Sequence, residues 1–273
     1  MKTQELNEMS RVIRRDILTM INKAGSGHPG GSLSLAEILT VLYFDDVMHV
    51  RPQDPDWNGR DRLILSKGHS APALYSVLAR RGFYPVSWLD TLRRLGSNLQ
   101  GHPHADRVPG LDCSAGSLGQ GLSIADGIAI GLRRQGSDAR VYCIMGDGEL
   151  QEGQIWEAVL TAAHNKVSNL CGIVDWNHVQ LDGRVEEIKD LGDLPAKWSA
   201  FGWNVIECDG HDVDDLKRAF EEARAYTEGP SVLLAHTIKG KGVSFMEGQA
   251  AWHGKAPDDE QLAQALAEID GEV

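Results

Sequence analysis

The fold turns on residues 141–179, VYCIMGDGELQEGQIWEAVLTAAHNKVSNLCGIVDWNHV. Val141 to Met145 is a short apolar run closed by Gly146, the pattern of a strand buried on both faces. From Glu152 to His164 the spacing becomes helical, with Ile155, Val159, Ala162 and Ala163 on one face. Leu170 to Trp176 is a second apolar strand. Strand, helix and strand in this space make one βαβ unit. Asp147 falls just past the first strand and Asn177 just past the second, thirty residues on. If the two strands are neighbours, both side chains face one crevice at the carboxyl ends, where open α/β sheets bind ligands.

Working outward, Asn204 to Cys208 and Val232 to Ile238 read as two more strands, with a helix over 213–226 between them. The alternation predicts an α/β fold: a doubly wound parallel sheet with helices on both faces. Upstream, a helix over 8–24 ends in the loop Gly25-Ser26-Gly27-His28-Pro29-Gly30-Gly31. Ser34-Leu35-Ala36-Glu37 opens an apolar helix through Phe44, Leu63-Ile64-Leu65 is a short strand, and a helix follows over 73–81. Residues 96–121 form a long loop rich in Gly, His, Pro and Ser, a length that usually signals function. A short amphipathic helix is expected over 258–269. The 273 residues fit a single domain, 1–273.

The crevice residues have a definite chemistry. Gly146 and Gly148 permit a tight turn and let a diphosphate approach the backbone. Asp147 offers an anionic oxygen, Asn177 an amide oxygen and Val179 a backbone carbonyl. Hard oxygens of this kind suit Mg2+, which completes its shell from phosphates and water; Ca2+ or Mn2+ could take its place. A lone Gly-Asp-Gly is ordinarily a turn, and a lone Glu152 would be a helix-start carboxylate. The two strand ends at this spacing are what raise them above that. Three of the ten histidines, His28, His69 and His102, lie in loops with Gly or Pro, all before the Asp147 turn. A single loop histidine is commonly just solvated, but three together suit proton movement near neutral pH.

The formal net charge is −12, which disfavours nucleic acid and anionic membrane as partners. The polar start MKTQELNEMSRVIRRD is unlike a signal peptide, and no segment is long and apolar enough to span a bilayer. Cys113, Cys143, Cys171 and Cys208 form no Cys-x-x-Cys pair and read as free thiols, so a cytoplasmic setting is expected.

The run GDGELQEGQIWEAVLTAAHNKVSNLCGIVDWNHVQLDG resembles the thiamine diphosphate motif of the transketolase family. The loops GSGHPGG, SKGHSA and QGHPHAD, the stretch SAGSLGQGLSIADGIAIG and the tail HTIKGKGVSFMEGQAAWHG resemble it too. The resemblance implies a diphosphate-binding domain. It implies metal ligation by Asp147, Asn177 and the Val179 carbonyl, supported by Glu152. It places His69, Gly116, Ser117, Leu118, Gly146, Gly148, Glu149 and Lys239 at the cofactor, with Gly119 to Gly121 shaping a turn. His28, His69 and His102 become the catalytic set, binding substrate hydroxyls and moving protons. Single-chain members carry a further histidine slightly upstream of the position of His253, where Ala250 or Ala251 stands here, so His253 does not simply inherit that role.

The tail is similar to two-chain bacterial members and to 1-deoxyxylulose-5-phosphate synthase. The two-chain likeness implies ketol transfer between sugars or sugar phosphates, with thiamine diphosphate and Mg2+, as one subunit of a hetero-oligomer with two copies of each chain. The second subunit would carry the pyrimidine-binding and C-terminal domains, since only twenty residues follow His253. Two other readings stay open. One is a decarboxylating relative, such as deoxyxylulose-phosphate synthase or a 2-oxoacid dehydrogenase α chain; the other is a non-catalytic cofactor-binding half.

Overall fold

A computed structural model describes residues 1–271. Its centre is a five-stranded parallel sheet, in the order β1-β2-β3-β5-β4. The strands are β1 (Arg62–Leu65), β2 (Val141–Gly146), β3 (Leu170–Trp176), β4 (Asn204–Asp209) and β5 (Ser231–His236). β2 and β3 are neighbours, with Gly146 opposite Asp175, so the turns carrying Asp147 and Asn177 leave the sheet side by side.

Side chains alternate along each strand and feed two cores. Leu63, Leu65, Tyr142, Ile144, Cys171, Ile173 and Leu233 face one side. There they meet α1 (Thr3–Ala24), α3 (Ala36–Phe44), α4 (Ala71–Arg81) and α9 (Val213–Ala225). Ile64, Val141, Cys143, Leu170, Val174, Val232 and Leu234 face the other. They meet α5 (Gly121–Arg134), α6 (Gly153–His164) and α8 (Leu194–Ala200). Helices therefore cover both faces, as the strand–helix alternation predicts. α10 (Asp259–Asp270) joins the first core through Ala265 and Ile269.

Boundaries differ where local chemistry competes with the pattern. A short helix, α2 (Pro29–Leu33), starts inside the predicted 25–31 loop, because Pro29 pre-sets its first turn. A 3-10 turn at Gly148–Gln151 precedes α6. Two short helices, α7 (Val185–Lys189) and α8, occupy a stretch that gives no periodic signal; the Asp193 side chain caps α8 at the Ala196 N–H, 2.9 Å. β5 stops at His236, which frees Thr237 to turn to Asp175. Among the described residues, no helix is long and apolar enough to cross a membrane. All four cysteines are free, and three are buried.

Candidate functional site

The C-terminal ends of β2 and β3 open into a cleft of about 140 Å³. Gly31, Lys67, His69, Leu118, Asp147, Asn177, Val179, Lys239 and His253 are on its wall. Asp147 is almost wholly buried. Its Oδ1 accepts the Gly148 N–H at 2.8 Å and its Oδ2 the His178 N–H at 2.5 Å. His178 adopts φ 62, an uncommon conformation for a residue with a side chain, and this turn brings its N–H to Asp147. At Gly148 a Cβ would lie 2.6 Å from Gln180 Cβ, so the glycine lets the first turn pack directly against Gln180 of the second.

Asn177 is held at both ends of its amide. Its Nδ2 donates to Asp175 Oδ2 at 3.0 Å and its Oδ1 accepts the Val179 N–H at 3.1 Å. The Val179 carbonyl accepts from Lys239 Nζ at 2.9 Å. Lys239 also donates to the Gln180 carbonyl, 3.4 Å, and to His253 Nδ1, 2.9 Å. Burial pushes the Lys239 ammonium down to about 8, and Lys67 adds to this.

Beneath the cleft lies an ion pair that sequence reasoning does not find. Lys67 and Asp175 are buried and in contact. Lys67 also donates to the Gly31 carbonyl at 3.0 Å, while Asp175 accepts from Ser34, at 2.7 Å, and from Thr237. A carboxylate inside the apolar run Cys171 to Trp176 and a lysine directly after Leu65 were the available signals, since buried charges are found paired.

The three loop histidines converge, from α2's N-terminus, the turn before α4 and the 96–121 loop. Ring centroids are 5.3 Å apart for His28 and His69, and 6.2 Å for His28 and His102. His253, which the sequence leaves without a role, stands among them, 4.9 Å from His69 and 5.5 Å from His28. Its position follows from the 237–253 loop folding back over α2, with Gly240 N–H bonded to the Gly30 carbonyl at 2.9 Å. Burial drives His28 down to about 4, with Arg93, His102 and Lys239 adding to it. It drives His253 to about 3, with Lys239 next, and His69 well below its usual value, with Lys67 next. His102 shifts the same way, through burial and Arg93. These imidazoles are neutral at neutral pH. Arg93 donates toward His28 Nδ1 at 3.3 Å, and Lys239 toward His253 Nδ1, so both rings carry their proton on Nε2.

Other expected positions lie at the margin. Gly116 adjoins the His102 ring, and Ser117 lines a neighbouring cavity with Cys113 and Gln120 rather than the main cleft. Glu152 is exposed at the start of α6, outside the cleft wall.

Among the described residues, no three His, Cys, Asp or Glu side chains converge as a metal site. A cation here would rest on Asp147 and neutral oxygens, with the remainder from a bound anion. The carboxylate is suited to one: burial and the nearby Asp175 raise Asp147 to about 6, a cost that a cation relieves. The amide oxygen of Asn177 and the Val179 carbonyl would add two neutral oxygens, a donor set that fits a hard divalent cation.

A sequence profile of the transketolase thiamine diphosphate binding domain matches residues 4–270. The chain is 45% identical to the 6-deoxy-6-sulfo-D-fructose transketolase subunit SqwG of Clostridium sp. (strain MSTE9), covering 98% of this chain and 97% of that protein. It is 41% identical to an apulose-4-phosphate transketolase subunit of Phocaeicola vulgatus, covering 98% and 95%. The crystal structure of Campylobacter jejuni transketolase superposes with a TM-score of 0.93 at 33% identity, over 99% of this chain and 43% of that one. The chain thus spans less than half of a long-form transketolase and nearly all of the subunit forms. On this match, and on these identities over almost its whole length, the chain belongs to the transketolase family, as a thiamine diphosphate binding domain.

Proposed function

We propose that this chain is the cofactor-binding subunit of a two-chain transketolase, moving a two-carbon ketol unit from a ketose to an aldose. The observation that carries the reading is the meeting of Asp147 and Asn177 at the ends of β2 and β3, with four imidazoles beside them. Asp147, Asn177 and the Val179 carbonyl would hold Mg2+ against the diphosphate. Lys239, whose ammonium rests on the Val179 carbonyl, would turn from it to a diphosphate oxygen when the metal takes that carbonyl, and Gly116 and Leu118 would flank the aminopyrimidine. Thiamine diphosphate, when bound, supplies the nucleophilic carbon and the electron sink. The neutral histidines would bind the sugar hydroxyls and carbonyl, and the Nε2–H groups of His28 and His253 would donate where negative charge develops on oxygen.

A second subunit carrying the pyrimidine-binding and C-terminal domains would close the site, as two copies of each chain. The names of the relatives, which are those of subunits, support this, as does their nearly complete coverage by this chain. Those names specify a sulfonated and a phosphorylated ketose, which supports an anionic ketose as the substrate class here. Transketolase names at 41–45% identity favour this reading over a decarboxylating one. The free thiols fit a cytoplasmic setting, and residues 1–273 are taken as one domain.

The test is product analysis by mass spectrometry on the two-chain mixture. The donor should lose two carbons and the acceptor gain two, with no carbon dioxide. Carbon dioxide released from pyruvate, with no ketol transfer, would support the decarboxylating reading instead.

A further inference from the structure

Glu149 has the chemistry of a clamp rather than of a ligand. It is 4% exposed, and it borders the cleft that the preceding reading gives to the diphosphate. A carboxylate and a diphosphate repel one another, so direct contact is disfavoured. The chain itself already engages both carboxylate oxygens. Oε1 accepts the Gly119 N–H at 2.9 Å and the Ser66 hydroxyl; Oε2 accepts the Gly146 N–H at 3.1 Å. Ser66 Oγ in turn accepts the Gly121 N–H at 3.1 Å.

These bonds join three segments that are remote in sequence. The first runs from the end of β1 to His69. The second is the 115–121 loop, with Gly116 and Leu118. The third is the Gly146-Asp147-Gly148 turn. Their contact is close: a Cβ on Gly121 would lie 2.3 Å from Ser66 Cβ, and one on Gly68 2.9 Å from Ala115 Cβ. Only an acceptor with two oxygens can serve donors on all three segments at once. A glutamine would set an amide N–H against one of them and leave a buried donor unpaired.

We propose that Glu149, through Ser66, is the positioning residue of this cleft. It holds the His69 turn and the Gly116–Leu118 loop in fixed register against the Asp147 turn, and so pre-forms the cofactor site. This rests on the cleft being the thiamine diphosphate site. Groups that orient ligands from behind are commonly worth about tenfold or more in affinity.

The test uses the assembled two-chain enzyme with four variants: Glu149→Gln, Ser66→Ala, their double, and Val159→Ala. Val159 is buried in the second core and is the packing control. Thiamine diphosphate affinity in excess Mg2+ is read by calorimetry, beside melting temperature and turnover at saturating cofactor. Glu149→Gln should weaken cofactor binding by about tenfold or more, and Ser66→Ala by less. The double variant should be no worse than Glu149→Gln, because the two residues act as one unit. Turnover at saturating cofactor should fall less than affinity does, and Val159→Ala should bind cofactor like the wild type despite melting earlier. Wild-type affinity in Glu149→Gln, or an equal loss in Val159→Ala, would overturn the proposal. If Glu149→Gln does not assemble, Ser66→Ala decides: a loss of affinity that Val159→Ala does not share supports the proposal, and wild-type affinity overturns it. A wild-type enzyme that binds no cofactor would overturn the cofactor reading itself.

Discussion

Asp147 and Asn177 are single side chains on which the proposed chemistry rests, and each can be removed alone. Asp147→Ala or Asn177→Ala should abolish Mg2+-dependent binding of thiamine diphosphate while the protein stays folded. A magnesium titration followed by calorimetry checks this, and wild-type affinity in either variant would remove the residue from the metal set. His69→Ala and His102→Ala should each lower turnover by about a hundredfold. Steady-state rates beside melting curves test this, and unchanged rates would take both off the catalytic list. The histidines also leave a stability signature. His28 titrates near 4 in the folded chain and near 6.5 when unfolded. The unfolded state therefore binds more protons between those values, and stability contributed by the neutral ring is lost as pH falls from about 6.5 toward 4. Asp126 and Asp147, raised by burial to about 7 and about 6, act in the opposite sense, so the diagnostic is a difference curve. The melting temperature of His28→Gln minus that of wild type should rise as pH is lowered through this window. A flat difference would mean that His28 is not buried neutral.

At the scale of elements, the sheet is legible in the sequence because a strand buried on both faces leaves an unbroken apolar run. Val141 to Met145 and Leu170 to Trp176 have that form, and the observed β2 and β3 agree within a residue. The short helices α7 and α8 are not legible, since five and seven residues give too few turns for a period. Of the cleft, the motif turns and the three loop histidines can be read locally. Lys67 and Asp175 cannot be joined, because their meeting depends on β1 and β3 flanking β2. His253 stays without a role at that level because sequence position alone does not show the 237–253 loop returning over α2. The packing of α5 on the Ser66 turn gives a further expectation. Gly121→Ala would force a Cβ to within 2.3 Å of Ser66 Cβ and should cost about 1–3 kcal/mol of stability. Denaturant unfolding measures this, and a neutral result would show that the α5 start is not fixed against β1.

For the whole molecule, the proposed function makes this chain one half of an active site. The sheet, the two cores and the cleft supply the metal–diphosphate end and the histidine cluster. The partner would supply the group that activates the aminopyrimidine. Cofactor lying between two chains should strengthen their association, because it binds the assembled state better than either part. Turnover is the most direct readout. Ketol transfer is measured for this chain alone and after stepwise addition of the second subunit, with saturating thiamine diphosphate and Mg2+ and a panel of phosphorylated and sulfonated ketose donors. The account predicts no transfer from the chain alone, and activity that rises as the second subunit is added, levelling off when the two chains are equal in number. Full turnover by the chain alone, unchanged by the second subunit, would contradict it.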